Sequence, residues 1–401
     1  MKIALIADQL CVPSPADVYP GAPERRVLPL ASALAGPDHE VTVYSRRQSA
    51  ARGHAADRPG VSVEMVDAGP RRPLPGDLLL PHIAVFADQL ADRWRRGTPD
   101  IVHAQSWTSG VAAVAGARGL GIPLVVTLHP TGAPPAHRRP TADTGVRERM
   151  EASLTRTVQA VLAGSSQERA RLSHLTASGG DVPSASVRVV PPGVDTERFC
   201  PDGPTAARGD GPRLLAVGSP GDEPGLVTAL HALAELPSAE LVVAGGPSRG
   251  RLRRDPGYRE LTGLARHLDV ADRLTCTGAL READMPELMR SADVLVHLTQ
   301  DPGLAMVPVE AMACGTPVIA AADGAAADAV IHENTGFLVA PDQPAELVRR
   351  IRRLLANPML LEGYGIAAAR RAADRFCWER IGQETRAVYA ALLGPRIPVV
   401  A

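Results

Sequence analysis

The sequence predicts an α/β protein made of two doubly wound, Rossmann-like domains that face a cleft. Three observations carry that expectation. Short β-branched or Leu-rich runs alternate with helical patterns along nearly the whole chain, the mark of βαβ units and parallel sheets. A breaker-rich stretch, Pro201 to Pro212 (PDGPTAARGDGP), interrupts the alternation, which then restarts. The chain is 401 residues long and 45% hydrophobic, enough for two cores of ordinary size.

In the first half, strands are expected at Lys2–Ala7, Val41–Ser45, Val61–Val66, Ile101–His103, Leu124–His129, Ala160–Gly164 and Val187–Val190. Between the first two lies a helix with Val27, Leu30, Ala31 and Leu34 at helical spacing, which Pro29 is expected to kink. In the second half, strands are expected at Arg213–Val217, Glu240–Ala244, Leu274–Thr277, Val294–Leu298, Pro317–Ala321 and Phe337–Val339. A last helix, Trp378 to Leu393, presents Ile381, Val388 and Leu392 on one face. The carboxyl ends of both sheets are expected to face the cleft, where ligands of such sheets collect.

Composition excludes several function classes. A net charge of -1 argues against a nucleic-acid groove, and 3% aromatic content against a base-stacking surface. The cysteines at 11, 200, 276, 314 and 377 form no CxxC pair, which suits a reducing compartment without disulfides or zinc. The opening MKIALIADQL is broken by Asp8 and reads as a strand, not a leader. With no run of membrane-span length, the expectation is a cytoplasmic protein.

Chemistry concentrates at PGLAMVPVEAMACGTPVIAAA, residues 302–322. Glu310 is the only charged residue between Asp301 and Asp323. An uncompensated carboxylate in such surroundings costs about 3 kcal/mol or more, so something polar should meet it. The run reads as a short buried helix, with Pro308 in its first turn and Gly315 as its stop, followed by a buried parallel strand. His129 and His103 end strands and should point into the cleft. Gly21-Ala22, after the first strand, allows backbone N–H groups near a phosphate. Gly218, Gly221 and Gly225 form a second such turn, but GSPGDEPG fits neither a dinucleotide fingerprint nor a Walker loop, and Asp222 and Glu223 repel a phosphate. Gly245-Gly246-Pro247 is followed by Arg249, Arg251, Arg253 and Arg254, the nearest dense positive charge. No metal constellation is present.

Six stretches together resemble the retaining, nucleotide-sugar-dependent family-4 glycosyltransferases of the GT-B fold, actinobacterial type. They are PDIVHAQSWTSG (99–110), GIPLVVTLH (121–129), VRVVPPGVDTERFCP (187–201), AELVVAGGP (239–247), VPVEAMACGTPV (307–318) and NTGFLVAP (334–341). The resemblance implies an acceptor domain over 1–200, a linker over 201–212, a donor-nucleotide domain over 213–375 and a helix, 376–393, crossing back to the first domain. It implies that Glu310 grips the nucleotide ribose, that His129 lies near the transferred sugar, and that the turn Gly278 to Leu280 faces the nucleobase. Gly21 would approach the diphosphate. The implied donor set also takes in Gly218, Ser219, Gly246, Arg249, Gly303, Leu304, Ala305 and Met306, and Asp301 stands beside His129 as the catalytic candidate. No cofactor or metal is implied, because the nucleotide-sugar is a co-substrate.

The sequence departs from the family where the diphosphate would lie. The family's arginine and lysine are Ser219 and Pro224, its sugar-contacting glutamate is Pro302, and two of its glycines are Ala22 and Ala305. Each lost phosphate contact is worth about 3 kcal/mol of transition-state stabilisation, roughly a hundredfold in rate. The expected function is therefore retaining transfer of a sugar from a nucleotide-sugar to a small-molecule or glycan acceptor, with Arg249 or Arg251 as replacement cation. The alternative is a catalytically degenerate GT-B protein that partners or regulates an active glycosyltransferase.

Overall fold

The computed structural model describes residues 1–10, 18–19, 26–48, 58–74, 76–128, 142–177, 185–221, 223–299 and 305–394. In chain order the strands of the first half are β1 (Lys2–Ala7), β2 (Val18–Tyr19), β3 (Glu40–Arg46), β4 (Val61–Val66), β5 (Ile101–Ala104), β6 (Leu124–Leu128), β7 (Ala160–Ala163) and β8 (Ser186–Val189). Those of the second half are β9 (Arg213–Val217), β10 (Glu240–Ala244), β11 (Leu274–Gly278), β12 (Leu280–Arg281), β13 (Val294–His297), β14 (Val318–Ala321) and β15 (Gly336–Val339).

Seven strands form one parallel sheet in the order β4-β3-β1-β5-β6-β7-β8, and six form a second in the order β11-β10-β9-β13-β14-β15. Each sheet is covered on both faces, which is why its central strands read as continuous apolar runs. Ile3 and Leu5 pack with Val27, Leu28 and Ala31 on one side of the first sheet, while Ala4 and Ile6 pack with Leu90 and Trp94 on the other. In the second sheet Leu215 and Val217 face Val307 and Met312, and Leu214 and Ala216 face Leu230 and Leu233. Strand order reverses direction between β1 and β5 in the first sheet and between β9 and β13 in the second. Those two switch points fix where crevices open, beyond the carboxyl ends of the four strands.

Thirteen expected strands are present, with ends longer or shorter by a residue; the expected end of β6 at His129 lies outside the described residues. β2 and β12 were not expected; they pair with each other, antiparallel, across the two halves. The kink expected at Pro29 is absent. Helix Val27–Leu34 starts two residues before it, so Pro29 sits in the first turn, where its missing N–H has no intrahelical acceptor to lose. The last helix, Trp378–Leu393, returns to the first half and lies on helix Val27–Leu34. Ile381 and Tyr389 are buried in that core. Among the described residues no helix is long and apolar enough to cross a membrane.

Candidate active site

The loop after β9 and the loop after β10 are held together through glycines. Gly218 N donates to Ala244 O at 3.0 Å, Gly245 N to Gly278 O at 3.1 Å, and Ala279 N to Pro247 O at 3.0 Å. Gly246 (φ 86°) and Gly278 (φ 70°) adopt left-handed backbone conformations. A Cβ on Gly246 would stand 2.8 Å from Pro220 Cδ, and one on Gly278 would stand 2.7 Å from Pro247 O and 3.1 Å from Arg249 N. The structure therefore brings Gly218, Ser219, Gly246, Gly278 and the backbone of Arg249 into one layer at the second switch point. The Arg249, Arg251, Arg253 and Arg254 side chains are exposed. The interior of the β9 loop is filled instead by Glu223, buried, whose Cγ lies 2.7 Å from where a Gly218 Cβ would be.

Helix Val307–Ala313 carries Pro308 in its first turn and ends in Gly315 at φ 79°. Gly315 N donates to Met312 O at 2.9 Å and Thr316 N to Ala311 O at 3.0 Å, a Schellman closure. Glu310 is on the first turn and half-buried. Its polar partner is the hydroxyl of Tyr19, which donates to Glu310 Oε2. Burial pushes the Glu310 carboxyl up to about 7, against the lowering pull of the Tyr19 hydrogen bond and the charge of Arg26. Burial also holds the Tyr19 phenol well above its ordinary value. Leu280 stands opposite Tyr19 in the β2–β12 pair, so Leu280 and Glu310 meet through that tyrosine.

A separate cavity opens between the halves. It is lined by Arg26 and Leu30, by His103, Gln105, Thr127 and Gly164 at the ends of β5, β6 and β7, by Ala305 and Ala325 from the second half, and by Trp378, Ile381 and Thr385 from the last helix. Of the expected donor residues among those described, Ala305 alone lines it. Met306 is buried in the second sheet's core. His103 is fully buried, with Nδ1 2.6 Å from Tyr389 Oη and Nε2 2.7 Å from Thr127 Oγ1, so it ties the last helix to the first sheet. At the first switch point Asp8 accepts from Ser106 Oγ (2.9 Å), Thr108 Oγ1 (2.8 Å) and Ser109 Oγ (2.5 Å). His129, Asp301, Gly21, Gly303 and Leu304 lie outside the described residues, as do Ala22 and Pro302.

Three residues escaped the sequence reading: Tyr19, Arg26 and His297. His297 ends β13 beside the switch point, and burial lowers its imidazole to about 4, so it is neutral at pH 7. Its Nδ1 has no hydrogen-bond partner among the described residues. An aromatic-flanked loop and a helix-start arginine carry no spacing signal, so neither Tyr19 nor Arg26 was readable. Among the described residues no group of three or more His, Cys, Asp or Glu is placed to hold a metal ion.

Residues 23–198 match the family described as Glycosyltransferase Family 4, and residues 203–371 match Glycosyl transferases group 1. A D-inositol 3-phosphate glycosyltransferase of Frankia alni is 32% identical over 396 residues, covering 92% of this chain and 94% of its own. The chain belongs to the family-4 glycosyltransferases. A second relative of the same name, from Streptomyces bingchenggensis, is 31% identical and covers 91% of this chain and 83% of its own. Sucrose-phosphate synthase from Thermosynechococcus elongatus superimposes with a TM-score of 0.77 at 25% identity over 98% of both chains. HepE of Anabaena, solved with UDP and glucose, shares the fold at a TM-score of 0.70 and 21% identity, covering 98% of this chain and 100% of its own. The two-sheet GT-B architecture and the glycosyltransferase family expected from sequence both hold.

Proposed function

We propose that this family-4 glycosyltransferase is a retaining enzyme that uses a nucleotide-sugar donor and a small-molecule or glycan acceptor. The observation that carries the reading is Glu310: a carboxylate kept at the second switch point, in apolar surroundings, with a hydroxyl as its partner. A ribose offers the same kind of donor. The donor diphosphate would then lie along the Gly218, Gly246 and Gly278 layer, with His129 and Asp301 on the sugar side. Retention would need no protein nucleophile, since donor phosphate and acceptor share one face and electrostatics supplies the stabilisation. Ser219 and Pro224 bring no charge to the diphosphate, so a replacement cation is required. Arg26, whose charge reaches Glu310, joins Arg249 and Arg251 as a candidate for that part. The relatives' name makes a phosphorylated cyclitol the first acceptor to assay, and the UDP-glucose complex of HepE makes UDP-glucose the first donor.

The test is calorimetric titration of UDP, GDP and TDP into the intact chain and Glu310→Ala. Removing the carboxylate is expected to weaken nucleotide binding by about tenfold to a hundredfold, the worth of a hydrogen bond to a charged group. No nucleotide binding by the folded wild-type chain or by Tyr19→Phe, which frees the Glu310 carboxylate of its hydroxyl partner, would overturn the reading. The degenerate reading, a partner or regulator of another glycosyltransferase, is favoured by one observation: buried Glu223 fills the turn where the family places its cations. Nucleotide binding without sugar transfer to any acceptor would support it.

A further inference from the structure

The two elements assigned to the donor nucleoside, Glu310 and the Gly278–Leu280 turn, both meet one dipeptide of the other half. Tyr19 faces Leu280 and Val18 faces Arg281 in an antiparallel pair, and the Tyr19 hydroxyl donates to Glu310. The tyrosine is only 4% exposed and belongs to the second sheet's core cluster, with Val194, Phe199, Met306 and Val307. Its position is therefore inside the donor-binding half, not beside it. The chemistry is that of a nucleoside: a flat ring set among apolar side chains, a hydroxyl on a carboxylate, and a peptide edge on the N–H and C=O groups of β12.

We propose that Tyr19 holds the nucleoside seat of the donor site in the ligand-free chain, so that donor binding displaces it and Tyr19 sets donor affinity. The inference rests on the nucleotide-sugar reading above. A ligand that must wait for an open seat binds with an affinity reduced by the fraction of molecules in which the seat is open. Removing the Tyr19 hydroxyl takes away a hydrogen bond to a carboxylate and shifts that fraction upward. Because the hydroxyl meets Glu310 and not the glycine layer, the gain belongs to ligands that carry a nucleoside.

The experiment is calorimetric titration of UDP, GDP, TDP and inorganic pyrophosphate into the intact wild-type chain, Tyr19→Phe and Tyr19→Ala. Tyr19→Phe keeps the ring and the fold, and is expected to bind the preferred nucleotide about tenfold more tightly, with pyrophosphate unchanged. Tyr19→Ala is expected to show at least the same gain. A nucleotide that binds only the variants supports the proposal in its strongest form. Wild-type binding with no gain, or a loss, in both variants overturns the proposal and leaves the function standing, since a merely structural tyrosine would give that result. A gain that is equal for pyrophosphate also overturns it. Failure of all three folded proteins to bind any nucleotide overturns both.

Discussion

Glu168 and Glu310 are carboxyls that burial pushes up to about 7. Glu168 closes the start of helix Ser166–Ala177: its N–H donates to Ser165 Oγ at 3.2 Å and its Oε2 accepts from Gly164 N, one residue before the N-cap, at 2.8 Å. The second oxygen, Oε1, is buried without a hydrogen bond among the described residues, with Arg171 Nη2 3.8 Å away. A carboxyl with a folded pKa above its unfolded one binds its proton more tightly in the native state. Its stabilising contribution is full below about 4.5 and lost as pH rises through about 7. Glu168→Gln keeps the acceptor for Gly164 and removes the charge. Urea unfolding is expected to find this variant more stable than wild type by on the order of 2–3 kcal/mol at pH 8, a gain that fades toward zero as pH approaches 4.5. His297, whose sign is opposite, is common to both proteins and cancels in the comparison. An equal gain at both ends of the range would mean that Glu168 stays charged in the fold. At this scale the sequence was readable where one residue contradicted its neighbours, as Glu310 does. Its partner was not, because Tyr19 is 291 positions away in a two-residue strand that has no periodicity to detect.

Elements were far more readable than contacts. β9, β13 and β14 are buried at every position, so each appears in the sequence as an apolar run, Leu214 to Val217, Val294 to Val296 and Val318 to Ala321, with Arg213 and His297 as the buried polar ends of the first two. Helix Val307–Ala313 declares both ends through Pro308 and Gly315. The turn after β11 is different, because a glycine in sequence does not say whether it only bends the chain or also makes room. Gly278 does both, and its turn joins the loop after β10 to the strand that pairs with β2. Gly278→Ala adds left-handed strain and places a methyl 2.7 Å from Pro247 O. The expected loss is about 2 kcal/mol or more, read as a lower urea midpoint, together with weakened nucleotide binding. Gly250→Ala serves as its control, since a Cβ there meets nothing within 4 Å. Equal midpoints for the two variants would show that the glycine layer is not close-packed.

The two halves are fastened to each other at several places, among them helix Ser166–Ala177 on helix Gly324–Ala329, where Ser166 N donates to Asp328 Oδ2 at 2.5 Å, and each fastener comes from chain far away in sequence. β2 reaches the second half, the last helix reaches the first, and Val194 N donates to Phe376 O at 2.7 Å where the connecting segment passes the start of that helix. The last helix was readable as an amphipathic element with Ile381, Val388 and Leu392 on one face. The depth of its seat was not, because that depends on a glycine. A Cβ on Gly382 would stand 2.5 Å from Ala33 O and 3.0 Å from Ala33 Cβ, so the helix backbones touch where Gly382 passes. Arg386 also donates to Ala33 O, and Tyr389 holds His103 one turn further on. Gly382→Val therefore cannot be absorbed by one flexible side chain; the helix must lift, and the contacts on Ala33 and His103 lift with it. The expected loss is on the order of 2–3 kcal/mol, accompanied by faster amide exchange over residues 378–393. Gly363→Ala, where a Cβ meets nothing within 4 Å, should instead leave exchange in that helix unchanged and add a few tenths of a kcal/mol or more through helix propensity. If Gly382→Val exchanges as slowly as wild type, the last helix is not what holds the first half against the second, and the cavity lined by Trp378, Ile381 and Thr385 would have to keep its shape through β2, the connecting segment and the contact of helix Ser166–Ala177 with helix Gly324–Ala329.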